Sequence, residues 1–259
     1  MMKRIGIEAF LAWAYRDELP KAETSGGGDW VVPSAGGWDA VSRQGELMAD
    51  LVNDGRINSF GVVPLPASYG APPHPDALTL HAAVSELAAM ELDVPDGWSP
   101  LAGLGLSPVE TQDAVRRAMP RVSAAGRDGR PRFCQKPAEL LRRHAILGGA
   151  PSWEFDRPKA RFVSSHGKPL WFRQRPVEGA FGKLHMVEVD GYNARAGRPY
   201  AGAYRKTILV PDPAEAVPMR AEYEVWHAAL GVVVDTLAAS CALHDHAVVM
   251  TERPARPWE

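Results

Sequence analysis

The residues with the clearest chemical potential are cations interleaved with flat rings in one stretch of the chain: Arg161-Phe162, Lys168, Trp171-Phe172-Arg173, Arg175, Tyr192, Arg195, Arg198, Tyr200 and Tyr204-Arg205-Lys206. This pairing holds single-stranded nucleic acid, because cations track phosphates while rings stack on unpaired bases. The candidate nucleic-acid contacts are Arg161, Lys168, Trp171, Arg173, Arg175, Arg195, Arg198, Arg205 and Lys206. The two-residue period of a strand puts Trp171 and Arg173 on one face and Phe172 with Leu170 on the other. Some of these rings suit the core of a small sheet equally well, and the pattern matches no recognised RNA-binding signature.

Two other groupings have chemical character. His244-Asp245-His246, with Cys241, offers a thiol, two imidazoles and a carboxylate. Adjacent residues point apart, so the cluster is read as helix-end capping rather than as a metal site. Glu188 and Asp190 share a strand face beside His185 and suit Mg²⁺ in a nuclease-type site, but no Lys stands two residues after the second carboxylate. The chain has no phosphate-binding Gly-rich loop ending in Lys-Ser/Thr, no nucleophile elbow, no paired-His zinc helix and no calcium loop. Gly103-Leu104-Gly105 is a fragment of a dinucleotide fingerprint without its third glycine. No catalytic residue, metal ligand or cofactor is assigned, and the expectation is a protein that is not an enzyme.

The elements that must position these residues follow from periodicity and punctuation. Residues 4–19 read as a helix stopped by Pro20. A loop at 23–37, a helix from Trp38 to about Asn53, a short strand at Phe60–Val63 and a proline-rich loop come next. Asp76 is expected to cap a helix over 77–91 carrying Leu80, Val84, Leu87 and Ala88 on one side. Ser107-Pro108-Val109-Glu110 has the form of a capping box opening a helix that runs to Met119. A loop rich in Arg and Gly leads to a helix that Pro137 opens and Gly148-Gly149 ends. From Lys159 the period changes to two, with strands at Ala160–Ser164, Leu170–Arg175, Leu184–Val189 and Ala203–Val210. A last helix spans about Arg220 to Leu243. Its Tyr223, Trp226, Leu230, Val233 and Leu237 step by three and four, which suits either the protein's own core or a docking face for a partner, with Tyr223, Trp226 and Leu230 as its contacts. The fold class is α+β: a helical acidic N-terminal part at 1–113, a basic helical connector at 114–158, a basic antiparallel β region at 159–210, and a C-terminal helix and tail at 211–259.

The net charge of -2 conceals a strong polarity. Residues 1–113 hold 6 Lys and Arg against 16 Asp and Glu, residues 114–206 hold 20 against 7, and residues 207–259 hold 3 against 8. A block this basic points to a polyanionic partner; the competing reading is a basic surface that answers acidic neighbours within the same fold. Cys134 and Cys241 form no metal-type spacing, so a reducing compartment is the default. The opening segment has an export-like outline, but Glu8 breaks its apolar run and Arg16, Asp17 and Glu18 follow directly, so a cytoplasmic location is expected.

Three segments carry a resemblance: Trp13-Ala-Tyr-Arg-Asp-Glu-Leu-Pro-Lys-Ala22, Tyr223-Glu-Val-Trp-His-Ala-Ala-Leu230, and the closing Pro257-Trp258. Together they resemble alphaproteobacterial prophage-associated regulators, among them the non-DnaA-like partner in the activator pair of gene transfer agents. That resemblance implies a transcription regulator, an activator or antitermination factor, working with RNA polymerase beside a DNA-binding partner protein; it supplies no site residues. DNA or RNA is then the ligand of the basic segment, with no membrane involved. The alternatives are a metal-dependent nucleic-acid-processing enzyme and a phage-type structural or assembly protein.

Overall fold

A computed structural model describes residues 2–21, 72–179 and 183–259. The helix expected from Trp38 and the strand at Phe60–Val63 lie outside the described residues. The fold is α+β, and it forms two compact units: Met1–Ala88 with Leu141–Gly149 and Ala229–Thr251, and Ala89–Leu140 with Ala150–Ala228 and Glu252–Glu259. These units cut across the four sequential blocks suggested by charge. No helix among the described residues is long and apolar enough to cross a membrane.

The first unit joins the two ends of the sequence. Strand β1 (Lys3–Gly6) leads straight into helix α1 (Ile7–Trp13), which continues as one π turn over Ala14–Glu18. Residues 4–6 are therefore strand, not the start of a helix. Their partner explains the difference: Lys3 to Gly6 pair in parallel with His246 to Val249 near the other end of the chain, a constraint that local periodicity cannot register. Helix α1 buries Ile7, Phe10 and Leu11. Helix α2 (Pro75–Glu86) buries Leu80 and Val84, and a 3₁₀ turn at Leu87–Ala89 ends it. Its cap is His74 rather than Asp76, since the His74 Nδ1 accepts the Asp76 backbone N–H at 3.1 Å. Pro75 at the first helical position needs no N–H partner, and this places Asp76 one step inside the helix.

The second unit contains helix α3 (Pro108–Val122), opened by the full capping box. Glu110 accepts the Ser107 backbone N–H at 2.8 Å, and the Ser107 hydroxyl accepts the Glu110 N–H at 3.4 Å. The helix runs past Met119 to Val122, and the Arg/Gly segment after it is a hairpin of β2 (Ser123–Ala125) and β3 (Pro131–Phe133). Helix α4 (Pro137–Leu147), which passes into the first unit at Leu141, ends at Gly148 and Gly149, both with positive φ, where glycine pays no Cβ penalty. The described strands within 159–210 all pair antiparallel. Strand β4 (Lys159–Phe162) pairs with β11 (Thr207–Val210), β5 (Ser164–Ser165) with β6 (Lys168–Pro169), β7 (Phe172–Glu178) with β8 (Leu184–Asp190), and β9 (Tyr192–Asn193) with β10 (Arg198–Pro199). A 3₁₀ turn at Pro213–Glu215 opens helix α5 (Ala216–Ser240), and β12 (His246–Val249) follows it.

The core of the second unit gathers Leu101, Leu104, Ala114, Ala118, Val122, Val217 and Ala221. Beside it α5 carries Arg220, only 3% exposed. Its guanidinium donates to the Pro100 and Ala102 carbonyls at 2.7 and 2.8 Å and to that of Trp153 at 3.4 Å, and it lies 5.0 Å from the Trp258 ring centroid. Burial pulls its pKa down, yet a guanidinium keeps its charge in a protein. One side chain thus ties a loop, a connecting segment and the C-terminus to α5. Gly103 belongs to the same knot: its φ is +79°, and a Cβ there would lie 2.7 Å from the Trp258 carbonyl oxygen. Arg220→Met keeps the apolar stem but orphans buried carbonyls. It is expected to cost about 3 kcal/mol in urea unfolding and to alter tryptophan emission through Trp258. An unchanged midpoint would show that the carbonyls find water instead.

Candidate functional site

The basic β region is built as two faces. In an antiparallel pair, residues directly opposite each other point the same way. Arg173 lies opposite Val189 and Arg175 opposite Val187, so these share one face of β7–β8; Phe172, Gln174, Glu188 and Asp190 share the other. Phe172 also exchanges two backbone hydrogen bonds with Tyr204, each 2.8 Å, which sets Arg205 beside Trp171. The Arg205 guanidinium stands 4.4 Å from the Trp171 ring centroid and 5.4 Å from that of Phe162, while Arg173 stands 3.7 Å from that of Tyr200. Phe162 is 48% exposed and Tyr200 37%. One face therefore carries the exposed Arg175, Arg205, Phe162 and Tyr200 together with the half-buried Trp171 and Arg173.

The opposite face is closed on itself. Lys206 pairs with Glu188 at 2.5 Å and lies 5.0 Å from the Phe172 ring, the Tyr204 hydroxyl donates to Glu188 at 2.6 Å, and Gln174 donates to that hydroxyl at 3.3 Å. Lys206 and Tyr204 hold the Glu188 carboxyl below its usual range, and Glu188 in turn raises the pKa of Lys206. Glu188 and Asp190 do share a face. Glu188 is engaged with these partners, and Asp190 caps its own turn by accepting the Tyr192 N–H at 2.8 Å.

Of the nine residues singled out in the sequence, the structure brings together Trp171, Arg173, Arg175 and Arg205 and sends Lys206 to the other face. Arg161 is exposed on β4, on the side away from Phe162; Lys168 is exposed in the β5–β6 hairpin; Arg195 and Arg198 are exposed in the β9–β10 hairpin. None of Arg161, Lys168, Arg175, Arg195 or Arg198 pairs with a carboxylate among the described residues. The upstream cations differ. Arg117 holds Asp212 with two hydrogen bonds of 2.7 and 3.0 Å and also Asp113; Arg121 meets Glu215; Arg132 meets Glu91, Asp93 and Asp128. Much of that part of the basic block answers acidic neighbours, and the exposed cations without a carboxylate partner among the described residues fall mainly after residue 159.

The expected docking face on the last helix is a correction. Tyr223, Trp226 and Leu230 are 1%, 2% and 0% exposed. The Tyr223 hydroxyl donates to the Pro254 carbonyl at 3.0 Å, and its ring meets those of Trp226 and Trp258. A 25-residue helix with large side chains at every third or fourth position is filled by its own protein.

A second cluster lies in the first unit. Asp76, fully buried, receives the backbone N–H groups of His244 (2.7 Å), Asp245 (3.0 Å) and His246 (3.1 Å), and its Oδ2 lies 2.8 Å from His246 Nδ1. Burial opposes its charge, and the hydrogen bonds from His244, His246 and Asp245 outweigh that, leaving the carboxyl below its usual range. His74 Nε2 lies 3.1 Å from Asp245 Oδ2. Trp13 packs on both imidazoles, at 5.4 Å from His74 and 4.8 Å from His246, and Phe10 stands 5.2 Å from His246. Of the His244-Asp245-His246 group, His246 and Asp245 contribute side chains to this cluster, while Cys241 is exposed with its thiol on the Ala238 carbonyl. His244 and Asp245 do not cap a helix end; they lead into β12, with their N–H groups gathered by Asp76. Sequence reading missed His74, and the signal available was its position just before Pro75-Asp76.

No protein-family model matches this sequence, and neither a curated protein nor a solved structure matches the chain.

Proposed function

We propose that this protein is a transcription regulator of the nucleic-acid-binding kind, holding single-stranded DNA or RNA on the face that carries Trp171, Arg173, Arg175 and Arg205. The observation that carries the reading is the Arg205 guanidinium set between two rings, at 4.4 Å from that of Trp171 and 5.4 Å from that of Phe162, on an exposed strand face with two further arginines. Guanidinium groups ordered on rings are held ready for phosphates, and the same rings give unpaired bases a stacking surface. The resemblance of the terminal segments to prophage-associated regulators favours a regulatory role over an assembly role. Contact with RNA polymerase, if it is made, uses a surface other than Tyr223, Trp226 and Leu230, which are in the core.

The test is a salt titration of binding to single- and double-stranded DNA and RNA. Three phosphates neutralised by Arg173, Arg175 and Arg205 predict a log–log slope of about -2 for single strands, an affinity loss of about 20-fold between roughly 50 and 200 mM salt. Trp171→Ala is expected to weaken single strands more than duplex. A flat salt response, or no binding at low salt, refutes the proposal.

A further inference from the structure

We propose that His74, Asp76 and His246 form a binding site for a divalent transition metal of the Zn²⁺ class, an ion that braces the junction of α2 and β12. One ligand atom from each of the three lies within 4.8 Å of the others. Two imidazoles and one carboxylate are the donor set that borderline metals select over Mg²⁺ or Ca²⁺, which prefer all-oxygen shells.

The surroundings of each ligand add a second line of argument. A metal-bound histidine ordinarily donates its other ring N–H to a carboxylate, which fixes the tautomer. Here His74 Nε2 faces Asp245 Oδ2 at 3.1 Å, and its Nδ1 lone pair lies on the Asp76 side, where it accepts the Asp76 backbone N–H, a hydrogen bond that an ion would replace. Asp76 is held by three backbone N–H groups, which keeps it ionised and aimed without a cation of its own. The 2.8 Å contact between His246 Nδ1 and Asp76 Oδ2 holds a proton where the metal would lie. Replacing that proton by an ion separates the two atoms by only a few tenths of an ångström, to about 3.3 Å for ligands near 2.0 Å in a tetrahedral shell. His74, 27% exposed just ahead of α2, is the ligand that closes in. Trp13 packs against both imidazoles and Phe10 against that of His246.

The experiment uses the full chain stripped with chelator and titrated with Co²⁺, then Zn²⁺. The expected result is one Co²⁺ per chain with the visible absorption of a four- or five-coordinate ion, displaced by one Zn²⁺, and an unfolding midpoint that rises with metal concentration. His74→Gln and His246→Gln are each expected to weaken binding by about 100-fold or more. Asp245→Asn, on an exposed carboxylate that orients His74 without being a ligand, is expected to weaken it by about 10-fold. Asp76 variants are avoided because they compromise folding. Binding that is absent, not stoichiometric, or unchanged in both histidine variants overturns the proposal, and the cluster is then a hydrogen-bond knot only.

Discussion

Replacing Asp76 with alanine is expected to destabilise the protein by about 3–5 kcal/mol, which places it among the most damaging single substitutions available in this chain. The fully buried carboxylate is the common acceptor for the N–H groups of three successive residues and for the His246 ring. Hydrogen bonds to an ionised acceptor are worth more than neutral ones, and removing it leaves several part-buried donors unpaired at once. The loss reaches the β1–β12 pairing, because His244 and Asp245 form the approach to β12 and Lys3 donates to the Asp245 carbonyl at 2.7 Å. Asp76→Asn keeps the shape but brings an NH₂ group among donors, so it is expected to recover only part of the stability. The pH dependence has a definite sign. The folded carboxyl titrates below its unfolded value, so its contribution is complete above about pH 4 and is lost as pH falls through the folded pKa. Glu18, also held below its usual range, acts in the same direction. Urea unfolding of wild type and Asp76→Asn from pH 3 to pH 7 checks this: the difference between them should shrink toward the acid end. A constant difference across that range would show that the charge on Asp76 is not what stabilises the fold.

The parts of this architecture written in short-range code were legible in the sequence. Ser107, Pro108 and Glu110 specify a helix start within four residues, and the structure carries every bond of that box. The change to a two-residue period near Lys159 marked the antiparallel region, because each strand there pairs with one close in sequence or with β11 of the same region. What was not legible depends on partners far along the chain. Residues 4–6 carry helical spacing but pair with β12, and Asp76 has the composition of a cap but serves as an acceptor for residues 244–246. Charge was legible as a sum and not as an arrangement. A window count gives Arg117, Arg121 and Arg132 the same weight as Arg173 and Arg205, although the first three are answered by carboxylates and the last two lie over rings. Arg205 and Lys206 are neighbours in sequence that strand alternation sends to opposite faces, and a list of cations does not register that split.

The same split gives the largest effect expected on function. The combined variant Arg173→Glu, Arg175→Glu, Arg205→Glu should lose about 10³-fold or more in affinity for single-stranded nucleic acid. Each reversal removes a phosphate contact and sets a like charge beside the strand; at roughly 1.4 kcal/mol per reversal, three give three decades. Stability should change little at Arg175 and Arg205, which are exposed, since ring contacts of exposed cations contribute only about 0.5–1 kcal/mol each, and most of any loss should come from the half-buried Arg173. Two controls separate a local face from bulk charge. Arg127→Glu, Arg130→Glu, Lys136→Glu changes the net charge by the same amount at exposed positions in or after the β2–β3 hairpin, and should cost less than 10-fold. Lys206→Glu, on the opposite face and already paired with Glu188, should likewise have a small effect on binding, even though its new carboxylate repels Glu188. Circular dichroism and urea midpoints establish that each variant is folded, and fluorescence anisotropy with a labelled oligonucleotide reads the affinity. Equal losses in the face variant and in the net-charge control would mean that the rings and their arginines form no site, and that the protein attracts polyanions only through its overall field.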